Sequence, residues 1–138
     1  MNDAELYQLI GPPSSRRIGC KSGEALLHVH VVDFLRAASL AHELKGVWFH
    51  IPNAIADAKH PMFGRQMTQL GKIKGAPDLC FVWDEGGGFV ELKSGSGKLS
   101  THQRLFRLWC EHHHIAYEIV TNIHEFKETL KKWKILNG

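Results

Sequence analysis

The chain has 138 residues, 43% of them hydrophobic, and a formal net charge of +3. That length supports one buried core but not two ordinary domains, and the apolar fraction excludes a disordered chain. No apolar run approaches the ~20 residues that span a bilayer, and Met1-Asn2-Asp3-Ala4-Glu5 lacks the basic start and apolar core of a signal peptide.

Asp3–Ile10 has the composition of a short helix, followed by the linker Gly11-Pro12-Pro13-Ser14-Ser15 and the basic pair Arg16-Arg17. Residues 1–21 therefore read as an arm and linker, and residues 22–138 as the domain. Ser22 can cap a helix running from about Gly23 to Lys45, with Gly46 as its stop. Glu24, Leu27, Val31 and Leu35 share one face of it. A glutamate at the end of an apolar stripe has two explanations. It sits well in a helical first turn, beside the positive dipole end, or it aims a carboxylate into a site. His28, one turn later, can support the second role or simply pack.

Val47-Trp48-Phe49 is an apolar run leading into His50-Ile51-Pro52-Asn53. Residues 58–77 then hold Lys59, Arg65, Lys72 and Lys74 with no acidic residue, so the positive excess of the whole chain lies here. Lys93, Lys98, Arg104 and Arg107 form a second basic set. Each set is either a solvated loop or a surface for an anionic polymer, of which nucleic acid is the natural one.

Leu79–Trp83 and Phe89–Lys93 are strand candidates joined by Asp84-Glu85-Gly86-Gly87-Gly88, a β-hairpin pattern. Ser94-Gly95-Ser96-Gly97-Lys98 is loop material, and Ser100 with Gln103 forms a capping box for a helix whose apolar stripe is Leu105, Phe106, Leu108 and Trp109. Ala116–Thr121 alternates as a strand. Asn122 and Glu125 cap a final helix marked by Ile123, Phe126, Leu130 and Trp133. The order is helix, strand, irregular segment with a short helix, two strands, helix, strand, helix. That order predicts an α/β domain with a small central sheet flanked by helices.

The chemistry gathers around the hairpin. Asp78 opens its first strand, and Glu91 and Lys93 close its second. Side chains alternate along a strand, so Glu91 and Lys93 share a face while Val90 and Leu92 take the other. Two carboxylates at one end of a hairpin can hold a hard divalent cation, and a neighbouring lysine can orient a water. The bare pattern also fits a surface salt bridge. Gln103 is either a helix cap or a group orienting water or phosphate beside Glu91. Cys110-Glu111-His112-His113-His114 is rich in ligand types, but consecutive helical residues diverge and no partner cluster has zinc-finger spacing. Gly95-Ser96-Gly97-Lys98 lacks the full spacing of a phosphate loop.

The succession of helical Glu24, His50-Ile51-Pro52-Asn53, Gly71-to-Leu79 (GKIKGAPDL), Glu91-Leu92-Lys93 and Lys98-Leu99-Ser100 with Gln103 resembles a stand-alone VRR-NUC domain. That family is the virus-type replication-repair branch of the PD-(D/E)xK nucleases. The resemblance spans roughly residues 22–130. Family members often carry glycines and an arginine soon after the asparagine; here Ala54-Ile55-Ala56 follows, and the first arginine is Arg65.

The resemblance implies a restriction-endonuclease-like core with a mixed four-stranded sheet. It implies Mg²⁺ or Mn²⁺ held by Asp78, Glu91, the Leu92 carbonyl and Glu24, with Lys93 and Gln103 acting on the attacking water. It implies DNA contacts from His50, Asn53, Arg65, Lys72, Lys74, Lys98 and Arg104. It further implies a homodimeric endonuclease acting on branched or junction DNA in replication, repair or recombination. The location expected is the cytoplasm of a bacterial or phage-infected cell, because Cys20, Cys80 and Cys110 cannot all pair within one chain. Two other functions fit the same residues: a silent nucleic-acid-binding protein of this fold, and a sequence-specific restriction-type nuclease.

Overall fold

The computed structural model describes residues 1–14, 23–52, 61–96 and 98–137. The elements are α1 (Asp3–Ile10), α2 (Gly23–Leu40), β1 (Val47–His50), α3 (Pro61–Gln69), β2 (Leu79–Trp83), β3 (Gly86–Leu92), α4 (Thr101–His112), β4 (Ala116–Val120) and α5 (Ile123–Lys132). The strands form one sheet in the order β1-β2-β3-β4. β1, β2 and β3 are antiparallel neighbours, and β4 runs parallel to β3. The protein is thus an α/β domain, as the element order predicts, with the mixed four-stranded sheet that the resemblance implies. None of the described helices is long and apolar enough to cross a membrane.

Alternation along the strands gives the sheet two distinct faces. Leu79, Phe81, Val90 and Leu92 are fully buried on one, against Leu27, Val31 and Leu35 of α2 and Phe126 and Leu130 of α5. Each such side chain contributes about 1.5–3 kcal/mol on leaving water, so this face carries the stability. Phe89 and Glu91 point to the other face, where α4 lies: the Phe89 and Phe106 rings meet edge to face at 5.4 Å. Function can reside on that second face because the first already holds the core.

Three expectations change. α2 ends at Leu40 rather than near Lys45. His42 adopts φ 58°, and the Glu43 N–H donates to the Ala38 carbonyl at 2.9 Å, which closes the helix in a left-handed cap. Gly46 therefore serves β1 instead: it has φ +91°, and a Cβ there would lie 2.5 Å from the Val82 carbonyl oxygen. Ser22, the expected cap, lies outside the described residues.

The second change is in the hairpin. Gly86, Gly87 and Gly88 are strand rather than turn, with Gly86 paired to Trp83, so only Asp84 and Glu85 turn the chain. The reason is steric. Trp133, just past α5, lies on the strand at Gly88, where a Cβ would come within 2.7 Å of the indole. The indole also stacks on Trp83 at 5.6 Å and meets Phe81 at 5.7 Å.

The third change is on α4. Leu105, Leu108 and Trp109 are exposed. The face that meets the sheet runs through Gln103, Phe106 and Cys110, because β3 presents Phe89 and the polar Glu91 to it.

The N-terminal segment, read as an arm, rests on α2 where it is described. Arg36 Nε donates to the Ile10 carbonyl at 2.8 Å, the Ser14 N–H donates to Asp33 Oδ1 at 2.7 Å, and His42 bonds Asp3 at 2.8 Å.

The packing at Gly88 gives a stability prediction. Gly88→Ala should lower unfolding free energy by about 1–3 kcal/mol, since the wedged Trp133 ring has little room to retreat. Urea denaturation measures it, with near-ultraviolet circular dichroism reporting the Trp83–Trp133 stack. An unchanged midpoint and spectrum would show that the indole does not lie on this strand.

Candidate active site

Asp78 precedes β2, one step beyond the Leu79–Val90 pair, and so stands opposite Glu91 across the sheet. Its position is fixed from both ends. Its carbonyl accepts from the Ile51 N–H at 2.8 Å and from His50 Nδ1 at 2.8 Å. A carbonyl only accepts, so His50 carries its proton on Nδ1. The Asp78 Oδ2 accepts from the Leu92 N–H at 2.8 Å. Pro77 before it is fully buried. The carboxylate is therefore held against the end of β3 by the Leu92 main chain, while Ile51 and His50 hold the Asp78 carbonyl.

Glu91 is 2% exposed, the only buried acidic residue among the described residues. Its Oε1 accepts from Gln103 Nε2 at 2.8 Å and lies 3.7 Å from the Lys93 ammonium. Its Oε2 is buried and meets no donor, while the Asp78 side chain lies within hydrogen-bond reach of the Glu91 carboxyl once that carboxyl is protonated. Burial pushes the Glu91 carboxyl up to about 8, the Asp78 charge pushes the same way and Glu24 adds to it, while Lys93 opposes. Burial and two neighbouring carboxylates leave the Glu91 carboxyl protonated near neutral pH unless a cation is supplied.

Gln103 is the expected helix cap, and it also bonds Glu91. Its side-chain oxygen accepts from the Ser100 N–H at 2.8 Å, completing the capping box, while its nitrogen holds Glu91. Gly75 makes this possible. It has φ +90°, and a Cβ there would lie 2.4 Å from the His102 carbonyl carbon and 2.7 Å from the Gln103 nitrogen. Only glycine lets the loop before Asp78 press onto the first turn of α4.

The other expected residues divide by position. Lys93 is largely shielded, and Glu24 is half-buried at the start of α2, near enough for its charge to act on Glu91. The Leu92 side chain is in the core, while its main chain meets Asp78. Lys98 and Arg104 are exposed and, with Arg107 and Ile119, line a groove between α4 and β4. Lys72 lines a different groove, between the loop after α3 and Trp109 of α4, and Arg65 and Lys74 are exposed. Asn53 lies outside the described residues.

Two features escape sequence reasoning. His28 and His50 meet edge to face at 4.5 Å, and burial, then His50, hold the His28 ring below the usual imidazole range while Asp78 works against them. His28 was legible only as a helical neighbour of Glu24. Tyr117 of β4 has a buried hydroxyl with no partner. Its alternation was visible, but its register against β3 was not.

The donor set tests whether a metal fits. A buried carboxylate oxygen that meets no donor, beside a second carboxylate, matches a hard divalent cation. Among the described residues no three His, Cys, Asp or Glu side chains stand as a ready-made metal cluster. Such an ion would thus rely on two carboxylates, a main-chain carbonyl and waters, the sparse protein coordination usual for Mg²⁺. No family model, curated protein or solved structure matches this chain.

The buried carboxyl predicts a pH dependence. A Glu91 proton retained to about pH 8 in the fold, but lost near 4.5 in the unfolded chain, favours the fold fully below about 4.5. That contribution falls as pH rises toward 8. Glu91→Gln keeps the neutral shape and cannot ionise. In EDTA it should match wild type near pH 5 and exceed it by roughly 2–4 kcal/mol at pH 9, since one pKa unit is about 1.4 kcal/mol. Denaturant midpoints across that range check it; parallel curves would mean that Glu91 ionises normally.

Proposed function

We propose that this protein is a metal-dependent DNA endonuclease of the PD-(D/E)xK type, with a restriction-endonuclease-like core and VRR-NUC affinity. The observation that carries it is Glu91, buried with one oxygen on Gln103, the other unpartnered, Asp78 opposite and Lys93 at 3.7 Å. A protein does not bury repelling carboxylates beside a lysine for stability, since an apolar pair would serve better. The arrangement has value where the charges meet a ligand.

Asp78, Glu91 and the Leu92 carbonyl would hold Mg²⁺ or Mn²⁺, with Glu24 placed for a second ion or a bound water. Such an ion polarises a scissile phosphate and lowers the pKa of water. The remaining work falls to the chain. Lys93, shielded from solvent and tied to Glu91, positions the attacking water and offsets negative charge building on the phosphorane. Gln103 keeps the Glu91 carboxylate in one orientation. His50 holds the Asp78 main chain, a positioning role beside the nucleic-acid contact expected of it. Lys98, Arg104 and Arg107 flank the groove beside β4, and Arg65, Lys72 and Lys74 offer positive charge on the approach to Asp78. These contacts grip phosphates and carry no sequence information. The products are a 3′-hydroxyl and a 5′-phosphate.

A cleavage assay on duplex, single-stranded, flap and four-way-junction DNA tests the reading. Cleavage should require Mg²⁺ or Mn²⁺, cease in EDTA and favour branched substrates. Lys93→Ala should lose on the order of 10²-fold or more in rate while its circular dichroism and DNA affinity persist. Turnover in exhaustively chelated protein, or a wild-type rate in Lys93→Ala, would overturn the mechanism.

A two-fold dimer belongs to the same proposal, because one site cuts one strand and opposed nicks need two. Its support is apolar surface: Val47, Phe49 and Val82 are 64%, 51% and 48% exposed on the α4-side face of β1 and β2, and Phe63, Leu105 and Trp109 are exposed elsewhere. Patches of this kind mark protein contacts. Light scattering at micromolar concentration should give twice the 15.6 kDa chain mass; the monomer mass would reject the dimer.

A further inference from the structure

Among the described residues, two buried side-chain polar atoms have no hydrogen-bond partner: Glu91 Oε2 and the Tyr117 hydroxyl. They are neighbours in the fold. Tyr117 pairs with Phe89 in the parallel β3–β4 ladder, and Glu91 lies two residues beyond Phe89. Paired residues share a face, so Tyr117 points with Phe89 and Glu91 toward α4. Diagonal neighbours on one sheet face lie within reach of an aromatic side chain. Burial, and then the Glu91 charge, act on the Tyr117 hydroxyl to keep its proton on, so it remains a donor.

We propose that the Tyr117 hydroxyl and Glu91 Oε2 hold one water between them, which makes Tyr117 a positioning residue of the carboxylate site. The physical case is one of matching deficits. A buried phenol without a partner carries its full desolvation cost, and a buried carboxylate oxygen carries at least as much. The hydroxyl donates, and Oε2 accepts when Glu91 is ionised and donates while its proton is retained; a buried water does both and typically makes about three bonds, so it can meet either form. The other polar groups whose fields reach the hydroxyl are Cys110, Arg107 and Asp78. Cys110 is a weak acceptor, and Arg107 pairs with Glu111 at 3.5 Å. With Gln103 on one Glu91 oxygen and the Tyr117 water on the other, the carboxylate plane is set from both sides. Groups that orient a ligand in this way typically carry 10–100-fold in metal affinity.

This inference rests on the metal-site reading above, and the experiment separates the two. Calorimetry with Mn²⁺ on wild type, Tyr117→Phe and Glu91→Gln is the first arm; a high-resolution crystal structure of the metal-free wild type is the second. Tyr117→Phe removes one oxygen and should fold normally, yet bind Mn²⁺ about tenfold more weakly, with Glu91→Gln weaker still. The crystal should show an ordered water within about 3 Å of both oxygens. Equal affinity in wild type and Tyr117→Phe, or no such water, overturns the role of Tyr117. If wild type itself binds no Mn²⁺, the metal-site reading falls and takes the positioning role with it. The water needs no variant, so it tests the bridge even if Tyr117→Phe misfolds.

Discussion

The hydrogen bond from Gln103 to Glu91 ties the two halves of this structure together. Without it, the contact of α4 with β3 would be left to apolar groups such as the Phe106–Phe89 ring pair, and neither Glu91 oxygen would meet a hydrogen-bond donor. The bond works because Gln103 has two ends. Its oxygen terminates the helix at Ser100 while its nitrogen crosses to the strand. The helix start and the carboxylate are thus held by one side chain, and Gly75 presses the Asp78 loop onto the same turn.

This sheet separates stability from chemistry by face. Aliphatic and aromatic residues on the α2/α5 side supply burial, and that side has no acidic residue in its core. The α4 side supports a carboxyl pushed toward pH 8, a shielded lysine and an orphaned phenol. A core with such a surplus can tolerate costly groups elsewhere. The electrostatic cost is concentrated at one end of one face, the kind of clustering of perturbed groups that makes this the candidate site.

Much of this was legible in the sequence. Alternation put Glu91 and Lys93 on one face, the Ser100–Gln103 box marked the start of α4, and Asn122 does accept from the Glu125 N–H at 2.9 Å. What failed had specific causes. The glycines at Gly86–Gly88 look like a turn because local chemistry cannot reveal that Trp133, some forty-five residues later, needs their missing side chains. The α4 stripe was misjudged because Leu105, Leu108 and Trp109 outweigh Gln103 and Cys110 in hydrophobicity, whereas the sheet face they had to meet is partly polar. α2 ran too long because His42 adopts a left-handed conformation that glycine usually takes. Glu125 likewise turns to Thr121, bonding its N–H and hydroxyl at 2.8 and 2.9 Å, instead of closing a reciprocal box with Asn122.

The segment after α5 returns to the far side of the chain. The Lys45 N–H donates to the Ile135 carbonyl at 2.7 Å, the Asn137 N–H donates to the Glu43 carbonyl at 2.9 Å, and Leu44 bridges Leu136. These bonds close a loop of about ninety residues, so they form late in folding by the entropy of loop closure. During synthesis, the apolar faces of α2 and β1–β3 wait for α5 and residues 133–137 before they are covered. The interval between emergence of Val90 and of Ile135 from the ribosome is therefore the period in which a nascent chain is most open to chaperones, and to its own neighbours on a polysome.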